Sequence, residues 1–112
     1  MKYYIVAGEA SGDLHASNII KQIKLIDPKG EFRGWGGDLM EYEGVKIVKH
    51  YKNHNYMGFW EVIKHLKTIL KNLSDCKKDI IQYSPDALIL IDFAGFNLRI
   101  AKYFQSSSFP VL

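Results

Sequence analysis

The stretch ALILI at residues 87–91 is an uninterrupted run of five apolar residues. Residues 84–86 (SPD) place a proline before it, and Asp92 follows it directly. A short run that does not alternate apolar with polar residues is typical of a strand that is buried on both faces of a parallel sheet. We therefore predict that residues 87–91 form the central strand of such a sheet, with Asp92 at its carboxyl end.

On either side of this strand, apolar runs alternate with segments of helical spacing. Strands are expected at residues 3–7, 32–35 and 45–48, with the start of a fifth at 110–112. Helices are expected at residues 13–26, 38–44, 58–73, 75–83 and 98–104. This alternation predicts an α/β fold, a Rossmann-like parallel sheet flanked by helices. The chain stops where a strand begins, so we expect a truncated domain.

The composition excludes several classes of protein. Apolar residues make up 47% and charged residues 24% of the 112, as in an ordinary globular domain. The net charge of +3 comes with scattered lysines, which does not favour nucleic acid as a partner. The single cysteine and the absence of a zinc-ligand spacing predict neither a disulfide nor a metal, and no cofactor is implied. The apolar run at the N-terminus is too short for a signal-peptide core, which together with the single cysteine predicts a cytoplasmic protein. No apolar run approaches the ~20 residues of a membrane span, so any membrane contact should be peripheral.

Three loops follow predicted strands and should meet at the ligand-binding edge of the sheet. They are residues 8–13 (GEASGD), 34–38 (GWGGD) and 92–97 (DFAGFN). GEASGD matches neither the dinucleotide fingerprint nor the P-loop, which disfavours nucleotide binding there. Its glycines allow backbone to approach a ligand closely. The candidate substrate-binding residues of this loop are Gly8, Glu9, Ser11, Gly12 and Asp13.

Asp92 is the candidate general base, because a carboxylate that directly follows a buried strand is desolvated on one side and reaches the ligand edge. Glu9 is the competing carboxylate. Asn97 could bind sugar hydroxyls through its amide. Each candidate also has a structural interpretation: Asp13, Asn97 and Asp92 could cap helices, and His15 at the same edge could be an ordinary polar residue.

The predicted helix at residues 58–73 has a wide apolar stripe with lysines on its other side. A helix at a membrane interface is built in this way, and so is a helix that packs on a sheet. Both interpretations stay open. The residues that would face a membrane are Met57, Phe59, Trp60, Val62, Ile63, Leu66, Ile69 and Leu70.

Four motifs together resemble the N-terminal domain of lipid-A-disaccharide synthases, in the same order and over essentially the whole chain. They are AGEASGDLHAS at 7–17, FRGWGGDLM at 32–40, YMGFWEVIKHL at 56–66 and PDALILIDFAGFNLRIAK at 85–102. The resemblance implies the N-terminal half of a GT-B glycosyltransferase of family 19. Such an enzyme joins UDP-2,3-diacylglucosamine to 2,3-diacylglucosamine 1-phosphate through a β-1,6 bond, with inversion and release of UDP.

The resemblance also implies roles for individual residues. Asp92 matches the aspartate of the family's ID motif and would be the base, while residues 8–13 and Asn97 would bind substrate. Many members carry a second acid three residues after the first, where this chain has Gly95, and this departure puts a paired-carboxylate mechanism in doubt. The UDP site would lie in an absent C-terminal domain, so the fragment alone should be inactive.

The implied partners are the two lipid substrates and, through peripheral contact, the inner leaflet of the cytoplasmic membrane. An exposed strand edge at 110–112 predicts self-association of the fragment. Two alternatives remain: a UDP-sugar epimerase of GT-B architecture, and a non-catalytic flavodoxin-like binding module. Bound flavin or nucleotide would favour the latter.

Overall fold

The computed structural model describes residues 1–51, 66–91 and 94–112. Its strands are β1 (Lys2–Ala7), β2 (Glu31–Gly36), β3 (Lys46–His50) and β4 (Ala87–Ile91). Its helices are α1 (Ala10–Ile26), α2 (Asp38–Tyr42), α3 (Leu66–Tyr83) and α4 (Ala94–Phe104). The strands form one parallel sheet in the order β3-β2-β1-β4. This arrangement confirms the predicted Rossmann-like α/β fold class.

β1 and β2 are the inner strands of this sheet, and β1 lies beside β4. β1 pairs with β2 on one side, with Val6 opposite Trp35, and with β4 on the other, with Ala7 opposite Ile91. The prediction that β4 is central was wrong, although its bounds were right. Residues 110–112 pair with β4 in parallel through a bridge from Leu88 to Val111, as the expected start of a fifth strand.

Alternation along β1 divides the core into two layers, because successive side chains of a strand point to opposite faces. Tyr4 and Val6 belong to the cluster that α3 and α4 cover. Ile5 and Ala7 belong to the cluster that α1 and α2 cover. Helices on both faces explain why the four residues from Tyr4 to Ala7 are all fully buried.

The helix boundaries differ from the predictions in three places. α3 continues through Ser74 to Tyr83, so the predicted break between two helices was wrong. Asp38 is the first residue of α2 and not its N-cap, which is Gly37. Asn97 lies in the first turn of α4, which begins at Ala94, so its predicted capping position was also wrong.

The apolar stripe expected at residues 59–73 is only partly described. Met57, Phe59, Trp60, Val62 and Ile63 lie outside the described residues. Within α3, Leu73 joins the core, Ile69 is half-buried, and Leu66 and Leu70 are 53% and 51% exposed. The buried face of α3 is formed instead by Asn72, Leu73, Cys76 and Ile80. None of the described helices is long and apolar enough to cross a membrane.

Candidate functional site

The carboxyl ends of β1, β2 and β4 lie side by side, as expected for the ligand edge of a parallel sheet. The GEASGD loop leaves β1 there and opens α1. A Cβ atom on Gly12 would lie 3.2 Å from Ala7 Cβ and 3.4 Å from the Ile91 carbonyl oxygen. Glycine therefore lets the first turn of α1 pack closely against the ends of both strands.

Asp13 joins the first of the three predicted loops to the second. Its carboxylate is 3% exposed and accepts hydrogen bonds from the backbone N–H groups of Gly37 at 2.9 Å, Leu39 at 3.0 Å and Met40 at 3.0 Å. These amides belong to the start of α2, where unpaired N–H groups gather and a negative charge is favourable. Asp13 thus caps α2, not its own helix, and its oxygens are occupied within the fold.

Glu9 and Ser11 are the parts of the GEASGD loop that reach solvent. Both are exposed, and the Ser11 hydroxyl donates a hydrogen bond of 3.3 Å to Glu9 Oε1. Glu9 is the N-cap residue of α1, but its side chain makes no capping hydrogen bond. Gly8, at the start of the loop, is buried. The loop therefore presents one carboxylate and one hydroxyl at the ligand edge.

Asn97 is 7% exposed, and its Nδ2 donates a 3.3 Å hydrogen bond to the Val6 carbonyl oxygen. This bond ties α4 to β1 near the carboxyl end of that strand. The structure thus gives Asn97 a role in positioning α4, and a contact between its amide and a sugar remains a prediction.

Asp92, the predicted base, lies outside the described residues together with Phe93. Its neighbour Ile91 ends β4 opposite Ala7, directly before the GEASGD loop begins. The Ile91 carbonyl oxygen also approaches Gly12, so β4 ends beside that loop.

A polar group at the ends of β2 and β3 was not anticipated from the sequence. His50 Nε2 lies 3.0 Å from Asp38 Oδ1, and the His50 ring lies 4.7 Å from that of Tyr51. Lys49 donates to Asn72 Oδ1 and lies 5.6 Å above the Trp35 ring. Pairing of β2 with β3 places Lys49 beside Trp35 and His50 beside Gly36, and α3 supplies Asn72.

No three Asp, Glu, His or Cys side chains cluster as metal ligands would within the described parts of the chain. A separate charged cluster is an ion pair that joins β2 to α3. Arg33 Nε and Nη2 donate to the two oxygens of Asp79 at 2.9 and 2.8 Å, and the Tyr4 hydroxyl donates to Asp79 Oδ2 at 2.7 Å. Burial raises the pKa of the Asp79 carboxyl, but the hydrogen bonds from Arg33 and Tyr4 outweigh burial and hold that pKa below its usual value.

Comparison with known proteins identifies relatives over nearly the whole chain. A family model described as lipid-A-disaccharide synthetase matches residues 3–110. Lipid-A-disaccharide synthase from Geobacter metallireducens is 42% identical over 108 residues, which cover 96% of this chain and 28% of that protein. Lipid-A-disaccharide synthase 1 from Legionella pneumophila (strain Lens) is 41% identical over 99 residues, 88% of this chain and 26% of the relative. The chain spans about a quarter of the length of the curated relatives it matches.

Proposed function

The chain belongs to the lipid-A-disaccharide synthetase family, and from this premise we propose that it is the N-terminal, acceptor-side domain of a longer glycosyltransferase of lipid A synthesis. The complete enzyme joins UDP-2,3-diacylglucosamine to 2,3-diacylglucosamine 1-phosphate and releases UDP. The match to residues 3–110 carries this proposal. The UDP site belongs to a C-terminal domain outside this chain, so the fragment alone is inactive.

The proposed acceptor site lies at the carboxyl edge of β1 and β4. The exposed Glu9 carboxylate and Ser11 hydroxyl offer polar groups to a sugar, and Gly12 lets the turn that carries them pack closely against the ends of β1 and β4. Asp13 supports the site indirectly, since its three hydrogen bonds hold the neighbouring loop and α2 in place.

We assign Asp92 as the general base of an inverting transfer. The 6-hydroxyl oxygen of the acceptor attacks the anomeric carbon of the donor, the bond from that carbon to UDP breaks, and the hydroxyl proton passes to the Asp92 carboxylate. The position of Ile91 next to Gly12 and Ala7 supports this assignment, because β4 ends at the edge where Glu9 and Ser11 are exposed and Asp92 is the next residue in the sequence.

Gly95 replaces the second acid of many relatives, and the proposed mechanism needs only one carboxylate in this loop. A Cβ atom on Gly95 would meet no described atom within 4 Å. Packing against the described residues therefore does not require a glycine here, and its presence is compatible with a single-base mechanism.

We further propose that the enzyme is cytoplasmic and contacts the inner leaflet of the membrane, where its lipid substrates reside. The half-exposed Leu66 and Leu70 support this, as do Lys67 and Lys71, which are exposed on the same helix. Exposed apolar groups interspersed with lysines favour an anionic membrane surface.

Transferase activity of the complete enzyme tests the function and the base together. Asp92→Asn keeps the size of the side chain but removes the proton acceptor, so we expect kcat to fall by about 100-fold or more. Asp75→Asn is the matched control and should leave kcat unchanged, because Asp75 is exposed on α3 and belongs to none of the three loops of the ligand edge.

The outcomes separate the family function from the role of Asp92. If the wild type forms no disaccharide, the proposed function is wrong. If it is active and Asp92→Asn is equally active, the function stands but the base lies elsewhere, with Glu9→Gln as the next variant to assay.

A further inference from the structure

Lys49 places a positive charge at the same edge of the sheet as the proposed acceptor site. It is the second-last residue of β3, and the strand register aligns it with Trp35 on β2. Its ammonium group donates a hydrogen bond to Asn72 Oδ1 and lies 5.6 Å from the centre of the Trp35 ring. Because ligands of a parallel sheet bind at the carboxyl ends of its strands, Lys49 is placed where a substrate can reach it.

The two partners of Lys49 hold its ammonium group in a fixed position. Trp35 is 1% exposed and belongs to the core cluster that α3 and α4 cover, and Asn72 is 2% exposed on the buried face of α3. Closely packed side chains of this kind have little freedom to change rotamer. Ordering a lysine side chain on ligand binding normally costs affinity, and here most of that ordering takes place during folding.

The charge of Lys49 has only uncharged partners among the described residues. The ion pairs in that part of the chain use other cations, and the contacts of Lys49 are the Asn72 amide and the Trp35 ring. Lys49 is half-buried, so water solvates its charge less well than that of an exposed lysine. An ammonium group has three donors, and the amide oxygen accepts from one of them. An anionic ligand that accepts from another donor would compensate the charge.

β3 is too far from β4 for Lys49 to share in a proton transfer at the end of β4. The order β3-β2-β1-β4 puts three strand spacings between these two strands, which is about 14 Å. An extended lysine side chain and a sugar phosphate can together span this separation. Lys49 therefore suits a part of the acceptor other than the hydroxyl that reacts.

We propose that Lys49 binds the 1-phosphate of the acceptor and so positions the sugar whose 6-hydroxyl attacks the donor. This inference rests on the proposed function and assigns a residue to one group of its substrate. The diphosphate of the donor is the other phosphate in the reaction. The acceptor is favoured because the proposed UDP site belongs to a C-terminal domain outside this chain, whereas the proposed acceptor site lies at this edge.

Steady-state kinetics of the complete enzyme with two acceptors test this contact. One acceptor is 2,3-diacylglucosamine 1-phosphate and the other is the same sugar with a free 1-hydroxyl, both dispersed in detergent. We expect Lys49→Gln to raise KM for the phosphorylated acceptor about tenfold with little change in kcat, because it removes a charged contact that forms before the reaction. KM for the phosphate-free acceptor and for the donor should change by less than about twofold.

Lys46→Gln is the matched control, because it removes the same charge from the exposed first residue of β3 and should change none of these constants. Asn72→Asp is a second variant that keeps the lysine but pairs its charge within the protein. It should weaken the phosphorylated acceptor in the same selective way. Circular dichroism checks folding. The ratio of kcat/KM for the two acceptors does not depend on the folded fraction, since both are measured on one preparation.

The outcomes separate this inference from the proposed function. An unchanged preference for the phosphorylated acceptor in Lys49→Gln would overturn the inference and leave the function standing. Equal losses with both acceptors would also overturn it, because Lys49 would then support the fold and not the phosphate. A rise in KM for the donor alone would move the contact to the donor diphosphate. A wild type that forms no disaccharide would refute the proposed function, and the inference with it.

Discussion

At the scale of single residues, Asp13 explains how a short helix of five residues is held at the ligand edge. Its buried carboxylate accepts three backbone hydrogen bonds from the start of α2. We expect Asp13→Asn to lower the free energy of unfolding by about 2 kcal/mol, because the amide NH2 would face a backbone N–H that has lost its acceptor. Urea unfolding measures this loss.

The control for this prediction is Asp75→Asn, the same change at an exposed position of α3. It should stay within about 0.5 kcal/mol of the wild type. Equal stability of Asp13→Asn and the wild type would mean that the three hydrogen bonds contribute nothing net, and that α2 is held by Met40 and its apolar neighbours alone.

These contacts also show the limit of prediction from single residues. Asp13 was expected to cap its own helix or to bind substrate, but its partners lie 24 to 27 residues further along the chain. Nothing in the local pattern around Asp13 distinguishes a cap on α1 from a cap on α2. The Asp38–His50 contact was missed for the same reason, since pairing of β2 with β3 creates it.

At the scale of secondary structure, strands were easier to predict than helix ends. Both ends of β4 were predicted correctly, because its five apolar residues follow Pro85 and Asp86 and are followed by Asp92. The helix ends were harder, since Asp38 and Asn97 suit a capping position and the first turn of a helix equally well. The break expected at Ser74 was absent because Leu73 and Cys76 continue the same buried face of α3.

α3 is joined to the sheet by the contact of Asp79 with Arg33 and Tyr4, and this contact should make stability depend on pH. The pKa of Asp79 is lower in the folded state than its usual value. The stabilisation from this contact is therefore fully present above the pKa that Asp79 has in the unfolded chain, about 3.9. It is lost as the pH falls through the lower pKa that Asp79 has in the folded state. Asp79→Asn should cost about 2 kcal/mol at pH 7.

Unfolding of the wild type and Asp79→Asn across pH 7 to about 2 checks the sign of this dependence. The difference between the two proteins should be constant at neutral pH and should shrink in acid, once the Asp79 carboxyl is protonated. A difference that grew on acidification would contradict the lowered pKa.

At the scale of the whole molecule, the two edges of the sheet differ. β3 forms one edge and carries Lys46 and Lys49, and charged side chains of this kind discourage pairing with another chain. Residues 110–112 lie along β4 at the other end of the sheet, where Val111 is half-buried and Leu112 is 69% exposed. This second edge is short and apolar, and no charged residue lies within it.

The edge at residues 110–112 should therefore make the 112-residue chain self-associate. We expect light scattering to give a mass that rises with protein concentration, because pairing at this edge satisfies backbone groups and covers Leu112. Leu112→Lys should lower the association, since a charge would then be carried into the interface. Val48→Lys places the same charge on β3, where Val48 is 40% exposed, and should leave the association unchanged. A constant monomer mass at every concentration would contradict the prediction, and loss of association in Val48→Lys alone would move the contact to β3.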